Sequence, residues 1–155
     1  GGAGKALGAG LPPPDKKQAF EDFKETDGGA ANGRLRDALK TLRDKRKQQQ
    51  DLVLVINGCK REIDALKEQL DGKREQVVHA AEERGAELVI DDEEFALVRT
   101  LKARKAAYRE GFEELKVLKS EVEYLGKLSE QARAKLVFDF EAWYRAAYED
   151  GPAPA

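Results

Sequence analysis

The densest group of side chains able to do chemistry is acidic: Glu87, Asp91, Asp92, Glu93 and Glu94, within the stretch GAELVIDDEEF from Gly85 to Phe95. Carboxylates this close together suggest a calcium site. A calcium loop, however, needs ligands at alternate positions, a central glycine and a terminal glutamate, and that order is missing. The run Ile90-Asp91-Asp92-Glu93-Glu94-Phe95 has the order of a helix start instead, with Asp91 as cap, Glu94 as capping-box partner, and Ile90 and Phe95 as an apolar staple. Acids there also complement the positive end of the helix. His79 is the only histidine; it has no cysteine or aspartate at metal spacing and no nucleophile to serve, so it reads as a solvated or packing side chain. The single Cys59 lies on an apolar seam, the ordinary place for a small buried residue. Gly4-Lys5 is followed by Ala6 and preceded by no strand, so it lacks the features of a phosphate loop. These residues predict no catalytic, cofactor-binding or metal site in the segment.

Two basic runs remain. Arg34, Arg36, Lys40, Arg43, Lys45, Arg46 and Lys47 are opposed in their interval only by Asp37 and Asp44, and Arg99, Lys102, Arg104, Lys105 and Arg109 by no acid at all. Arg34, Arg36, Lys40 and Arg43 in the first run, with the whole second run, are the candidates for contact with an acidic partner, tubulin or nucleic acid being the obvious classes. The competing reading is a solvated helix face. No base-reading motif or aromatic interleaving accompanies the charge, which counts against nucleic acid.

The elements that must position these groups are long helices. The 155 residues carry 28 Lys+Arg against 30 Asp+Glu for a net charge of −2, so charge is abundant but balanced. With 37% charged, 41% hydrophobic and 7% aromatic residues, the composition suits a solvated helical assembly better than a compact enzyme. No apolar run is long enough to span a membrane and no signal peptide precedes the polar start, so a soluble chain is expected. The lone cysteine fits a reducing compartment such as the cytosol. Methionine is absent altogether, from which we expect part of a longer polypeptide, most simply its C-terminal end.

Residues 1–14 are rich in Gly, Ala and Pro and predict a linker. Residues 15–33 comprise a short helical anchor, with Ala19, Phe20 and Phe23 on one side, and a loop over Asp27–Gly33; the anchor either packs on the next helix or docks a partner. Residues 34–84 form the first long helix. Its seam is Leu52, Ile56, Cys59, Ile63, Leu66 and Leu70 in steps of four and three, out of phase with Leu35, Leu39 and Leu42, so an overwinding or break is expected near Gln48-Gln49-Gln50. Leu52–Gly58 could also be a strand entering an Asn-Gly hairpin, but Cys59-Lys60-Arg61-Glu62 supplies no second strand. Residues 85–91 are an extended connector and cap. Residues 92–150 form the second long helix, about 85 Å if unbroken. Leu101, Tyr108, Leu115, Val122, Ser129, Leu136 and Trp143 recur at intervals of seven, with Leu118, Leu125 and Ala132 between them. Phe112 and Phe140 widen this stripe, implying more than one packing neighbour. Gly151-Pro152 ends the helix and 151–155 is a tail.

Taken in order, PPPDKKQAFEDFK, the basic helix ending in LRDKRK, IDALKEQLDGKREQ, ELVIDDEEFALVRTLKARKAAYREGFEELKVLKSEVEY and FDFEAWY resemble the stalk and tail of the kinesin-9 family, the kinesins of cilia and flagella. The resemblance runs from about Pro12 to Tyr148 and is most specific in VIDDEEF, KARKAAYR and FDFEAWY. It implies a parent with an N-terminal microtubule motor, an ATPase using ATP and Mg, none of whose catalytic residues lie in this chain. It also implies a place in the axoneme at the central pair and a contribution to ciliary motility, with a homodimer, the microtubule and central-pair proteins as partners.

The expected fold is all-α: an elongated coiled coil of two long helices separated by a short extended connector. Kinesin stalks pair in parallel, so the first expectation is a parallel homodimer through Leu52–Leu70 and Leu101–Leu136; an antiparallel hairpin of the two arms is the alternative. A motorless coiled-coil adaptor of the axoneme or cytoskeleton is the competing function.

Overall fold

The computed structural model describes residues 15–85 and 91–150. Helix α1 spans Lys16–Glu25, α2 Gly29–Arg84 and α3 Asp92–Tyr144, followed by a π-helical turn, Arg145–Glu149. No strand occurs among the described residues, and the all-α expectation holds. The proposed linker 1–14, most of the connector with Ile90, and the tail 151–155 lie outside the described residues.

α2 runs unbroken through Gln48–Gln50 and through Leu52–Gly58, so neither a break nor a strand occurs there. It also begins at Gly29, ahead of the expected loop end at Gly33. Each glycine costs a helix about 1 kcal/mol relative to alanine. Here tertiary packing decides: Ala31 packs against a buried aromatic cluster, and the Asn32 N–H donates to the Gly28 carbonyl at 2.8 Å. Gly28 itself is required by close approach, since a Cβ at that position would overlap the Phe23 ring. The C-terminus of α2 is closed by Gly85 at φ 64°, a left-handed conformation that glycine adopts without a steric penalty.

The contacts divide the chain into two units, one made of Lys45–Ser120 and the other of the residues up to Asp44 and from Glu121. The first is a helical hairpin. Gly111 stands against Ile56, Arg104 pairs with Glu62, and Asp91 and Glu93 pair with Lys73, so residue numbers fall along α3 as they rise along α2. Ile63, Leu70 and Leu101 form its buried cluster, with Leu66, Leu97, Val98 and Tyr108 packed on it. Ile56 and Leu115 are buried, while Leu52, Cys59 and Leu118 are half-buried.

Within this unit the chain takes the antiparallel hairpin, the alternative of the two expectations, and its predicted seam residues pack against the chain's own second arm. The physical reason is connectivity. A short link holds the second apolar stripe at a high effective concentration beside the first, whereas a second chain must be recruited from solution.

The other unit packs α1, the start of α2 and the end of α3 around Ala19, Phe23, Leu35, Leu136, Phe140 and Tyr144. Phe140 touches α1 through Phe20 and Phe23, with ring centroids 4.8 and 5.6 Å away, which satisfies the expectation that this stripe meets more than one neighbour. The anchor reading of α1 therefore holds: its apolar side is spent on packing. Ser129, at a heptad position, is buried and donates its hydroxyl to the Leu125 carbonyl at 2.8 Å. Val122 and Leu125 are half-buried beside it. In the π turn the Asp150 N–H reaches back to the Arg145 carbonyl at 2.7 Å, and the turn keeps Tyr148 against Trp143 and Tyr144, with centroids 6.1 and 5.2 Å apart.

Candidate functional site

The helix start at Asp91 is built as its residue order predicts, with one change of partner. The Glu94 N–H donates to Asp91 Oδ1 at 2.8 Å, the expected cap bond. The Glu94 side chain is only 7% exposed, and its carboxylate accepts from Arg74 Nε at 2.9 Å, across the hairpin. A buried carboxylate needs a charge partner, and Arg74 supplies it. Phe95 is 57% exposed, with Arg99 5.8 Å from its ring, and so is far from a fully covered staple residue.

Beside this pair, Lys73 Nζ bridges Asp91 Oδ2 at 2.7 Å and Glu93 Oε2 at 3.1 Å. Asp91, Glu93 and Glu94 thus form a latch that fastens the start of α3 to α2, while Glu87 lies outside the described residues. No group of His, Cys, Asp or Glu suited to a metal ion occurs among the described residues. Lys73 and Arg74 did not stand out as single residues in the sequence; an antiparallel register read outward from the connector is the signal that pairs them with Asp91–Glu94.

The hydrogen bonds from Lys73, first to Asp91 and then to Glu93, raise its pKa above the ordinary 10.5. The Lys73 hydrogen bond, followed by the bond from the Glu94 backbone, holds the Asp91 carboxyl below its ordinary 3.8. The depressed carboxyl contributes stability that is present above 3.8 and is lost as pH falls through its lower folded value. The raised ammonium contributes stability that is present below 10.5 and is lost as pH rises through its higher folded value. Solvent reaches both groups, so each effect is small and weakened by salt. In thermal melts at low ionic strength, wild type should lose stability at both extremes. Lys73→Gln should flatten both limbs, and identical pH profiles for the two proteins would show that the latch contributes nothing.

The structure separates the predicted basic residues by what answers them. Arg104 is spent on Glu62 at 2.7 Å, and Arg99 lies over Phe95. Lys105 is half-buried, while Lys102 and Arg109 are exposed. Arg34, Arg36, Lys40 and Arg43 are all exposed on α2. Of these, Arg36, Lys40 and Arg43 line one solvent-open groove with Gly33, Asp37 and Leu39. His79 is exposed, with Nε2 3.2 Å from Glu83, and Cys59 is a free thiol in the hairpin. No helix among the described residues is long and apolar enough to cross a membrane.

The family model described as "Kinesin-like protein KIF9 domain" matches residues 12–152. The chain belongs to the kinesin-9 (KIF9) family. It is 34% identical over 137 residues to the human kinesin-like protein KIF9, covering 88% of this chain and 17% of that protein. To the mouse kinesin-like protein KIF9 it is 32% identical over 137 residues, again covering 88% of this chain and 17% of the relative. The chain therefore spans about a sixth of the length of these curated relatives. No solved structure matches. The kinesin-9 match takes in α1, both long helices, the latch at Asp91 and the groove at Arg36–Arg43.

Proposed function

We propose that this segment is the docking tail of a kinesin-9-like microtubule motor of the ciliary or flagellar axoneme, attached at the central pair and contributing to ciliary motility. The observation that carries the reading is the family match over residues 12–152, which includes every described helix. ATP binding, with Mg, and microtubule-dependent ATP hydrolysis belong to a motor domain elsewhere in the parent. The parent acts as a homodimer. Because Ile56, Ile63, Leu70 and Leu101 are buried within one chain, that dimer keeps the hairpin closed and joins copies through other surfaces. Microtubules and central-pair proteins are its partners.

A second reading rests on the all-helical architecture of the described residues, which suits a structural linker as well as a motor's tail. The same module on a chain without a motor is a structural adaptor of the axoneme or cytoskeleton. Expressed as a fluorescent fusion in ciliated cells, the segment should accumulate along the axoneme; uniform cytoplasmic signal overturns both readings. The coding sequence upstream of Gly1 separates them, because a motor carries the G-x-x-x-x-G-K-[ST] loop and an adaptor does not.

A further inference from the structure

Arg36, Lys40 and Arg43 follow one another on α2 in steps of four and three, which puts them on one helical face, and all three are exposed. Within the same unit Lys16 pairs with Glu141, Lys24 with Glu21, Lys127 with Glu123 and Lys135 with Asp139. Arg36, Lys40 and Arg43 have no ion-pair or hydrogen-bond partner among the described residues. Asp37 borders the groove, yet among the described residues neither it nor Asp44, four residues after Lys40, forms a salt bridge with the three cations. Like charges at such spacing destabilise a helix, so the stripe runs against local stability.

The groove shape adds a second constraint. Besides the cations, the groove is lined by the half-buried Leu39 and, one turn before Arg36, by Gly33, where an added Cβ would meet nothing within 4 Å. A backbone can therefore approach the helix closely at the Arg36 end of the row. At 1.5 Å rise per residue the cations are spaced about 6 Å and then about 4.5 Å along the axis. An extended polypeptide presents same-side residues about every 6.6 Å. The long Arg and Lys side chains absorb the difference, so successive same-side carboxylates meet successive cations. Nucleic acid fits less well: residues 32–47 contain no aromatic side chain on which a base could stack.

We propose that the groove lined by Arg36, Lys40 and Arg43 binds an extended, acidic polypeptide segment with carboxylates at alternate positions. The site stands whether or not the parent is a motor.

The test uses the full chain and a fluorescein-labelled peptide of alternating Glu and Ser, read by fluorescence anisotropy at low and physiological salt. A Gln/Ser peptide is the uncharged control, and an RNA oligonucleotide and a DNA duplex are competitors. Arg36→Gln/Lys40→Gln/Arg43→Gln keeps helix propensity nearly constant and should weaken binding about tenfold, the sum expected for three exposed charge contacts. Lys17→Gln/Lys119→Gln/Arg133→Gln removes the same charge from exposed sites outside the groove and should change binding less than about twofold. Gly33→Glu, which adds an acid over open space and leaves every cation in place, should also weaken it. Equal loss in the two triple variants, no binding to the Glu/Ser peptide, or stronger groove-dependent binding of either nucleic acid would each overturn the proposal. Axonemal localisation of the fusion is a separate readout and can fail independently of this one.

Discussion

Phe140→Ala should lower the stability of its unit by about 3–5 kcal/mol. Phe140 is 4% exposed and is the hub of the aromatic cluster. Its ring lies 4.8 Å from Phe20, 5.6 Å from Phe23, 6.1 Å from Trp143 and 5.8 Å from Tyr144. Truncation removes the transfer free energy of a large side chain, opens a cavity between α1 and α3, and breaks four tilted ring pairs of a kind that each contribute roughly 0.5–1.5 kcal/mol beyond burial.

Trp143 provides a local reporter, because its indole Nε1 donates to Asp27 Oδ2 at 2.6 Å and its ring touches Phe23 and Phe140. The tryptophan emission transition should move down by on the order of 15 °C or more. Phe138→Ala, at a position 74% exposed, should leave it within a few degrees. If Phe140→Ala shifts the transition no more than Phe138→Ala does, the cluster is not what holds α1 in place.

The second large effect is a change of sign. Gly111→Ala would ordinarily stabilise a helix by about 1 kcal/mol. Here the new Cβ would sit 2.9 Å from Ile56 Cγ1 and 3.5 Å from its Cδ1, and Ile56 is only 5% exposed. Overpacking of this kind costs about 1–3 kcal/mol, so the substitution should be net destabilising in the wild-type chain. Ile56→Ala alone should cost about 2–5 kcal/mol. In that background Gly111→Ala meets no crowding, fills part of the cavity and should stabilise by about 1 kcal/mol. The coupling between the two sites is then about 1–3 kcal/mol, measurable by urea denaturation of the four proteins. Gly126→Ala is the internal control, since nothing lies within 4 Å of its Cβ position, and it should stabilise in every background. A stabilising Gly111→Ala in the wild-type chain would mean that the helices do not approach at Gly111 and Ile56.

Much of this architecture was legible before any coordinates. Residue order marked Asp91 as a cap, and its carboxylate accepts the expected backbone bond from Glu94. Apolar spacing marked Ile56, Ile63, Leu70, Leu101, Leu115 and Leu136, all of which are buried. Phe112 and Phe140, widening the stripe of the second helix, marked a face with more than one neighbour; Phe140 meets α1 there, while Phe112 is 40% exposed. The helix start at Gly29 was hidden, because glycine and asparagine propensities favour a loop and only the cluster around Ala31 outweighs them. The basic runs were visible as composition, but not which of their members are answered: Arg104 by Glu62, Arg36, Lys40 and Arg43 by no described residue.

Residue order and periodicity thus specify a helical chain, the start of the second long helix and the stripe of each helix that must be covered. What covers that stripe follows from packing between distant parts of the chain. Periodicity is a property of one helix and names its apolar face, but the same seam can be closed by a second copy or by the chain's own other arm. That choice rests on the short connection at 85–91, on the side chain missing at Gly111 opposite Ile56, and on charges brought together across the hairpin at Lys73, Arg74, Asp91 and Glu94. Each is a relation between residues far apart in the chain, which no local pattern contains.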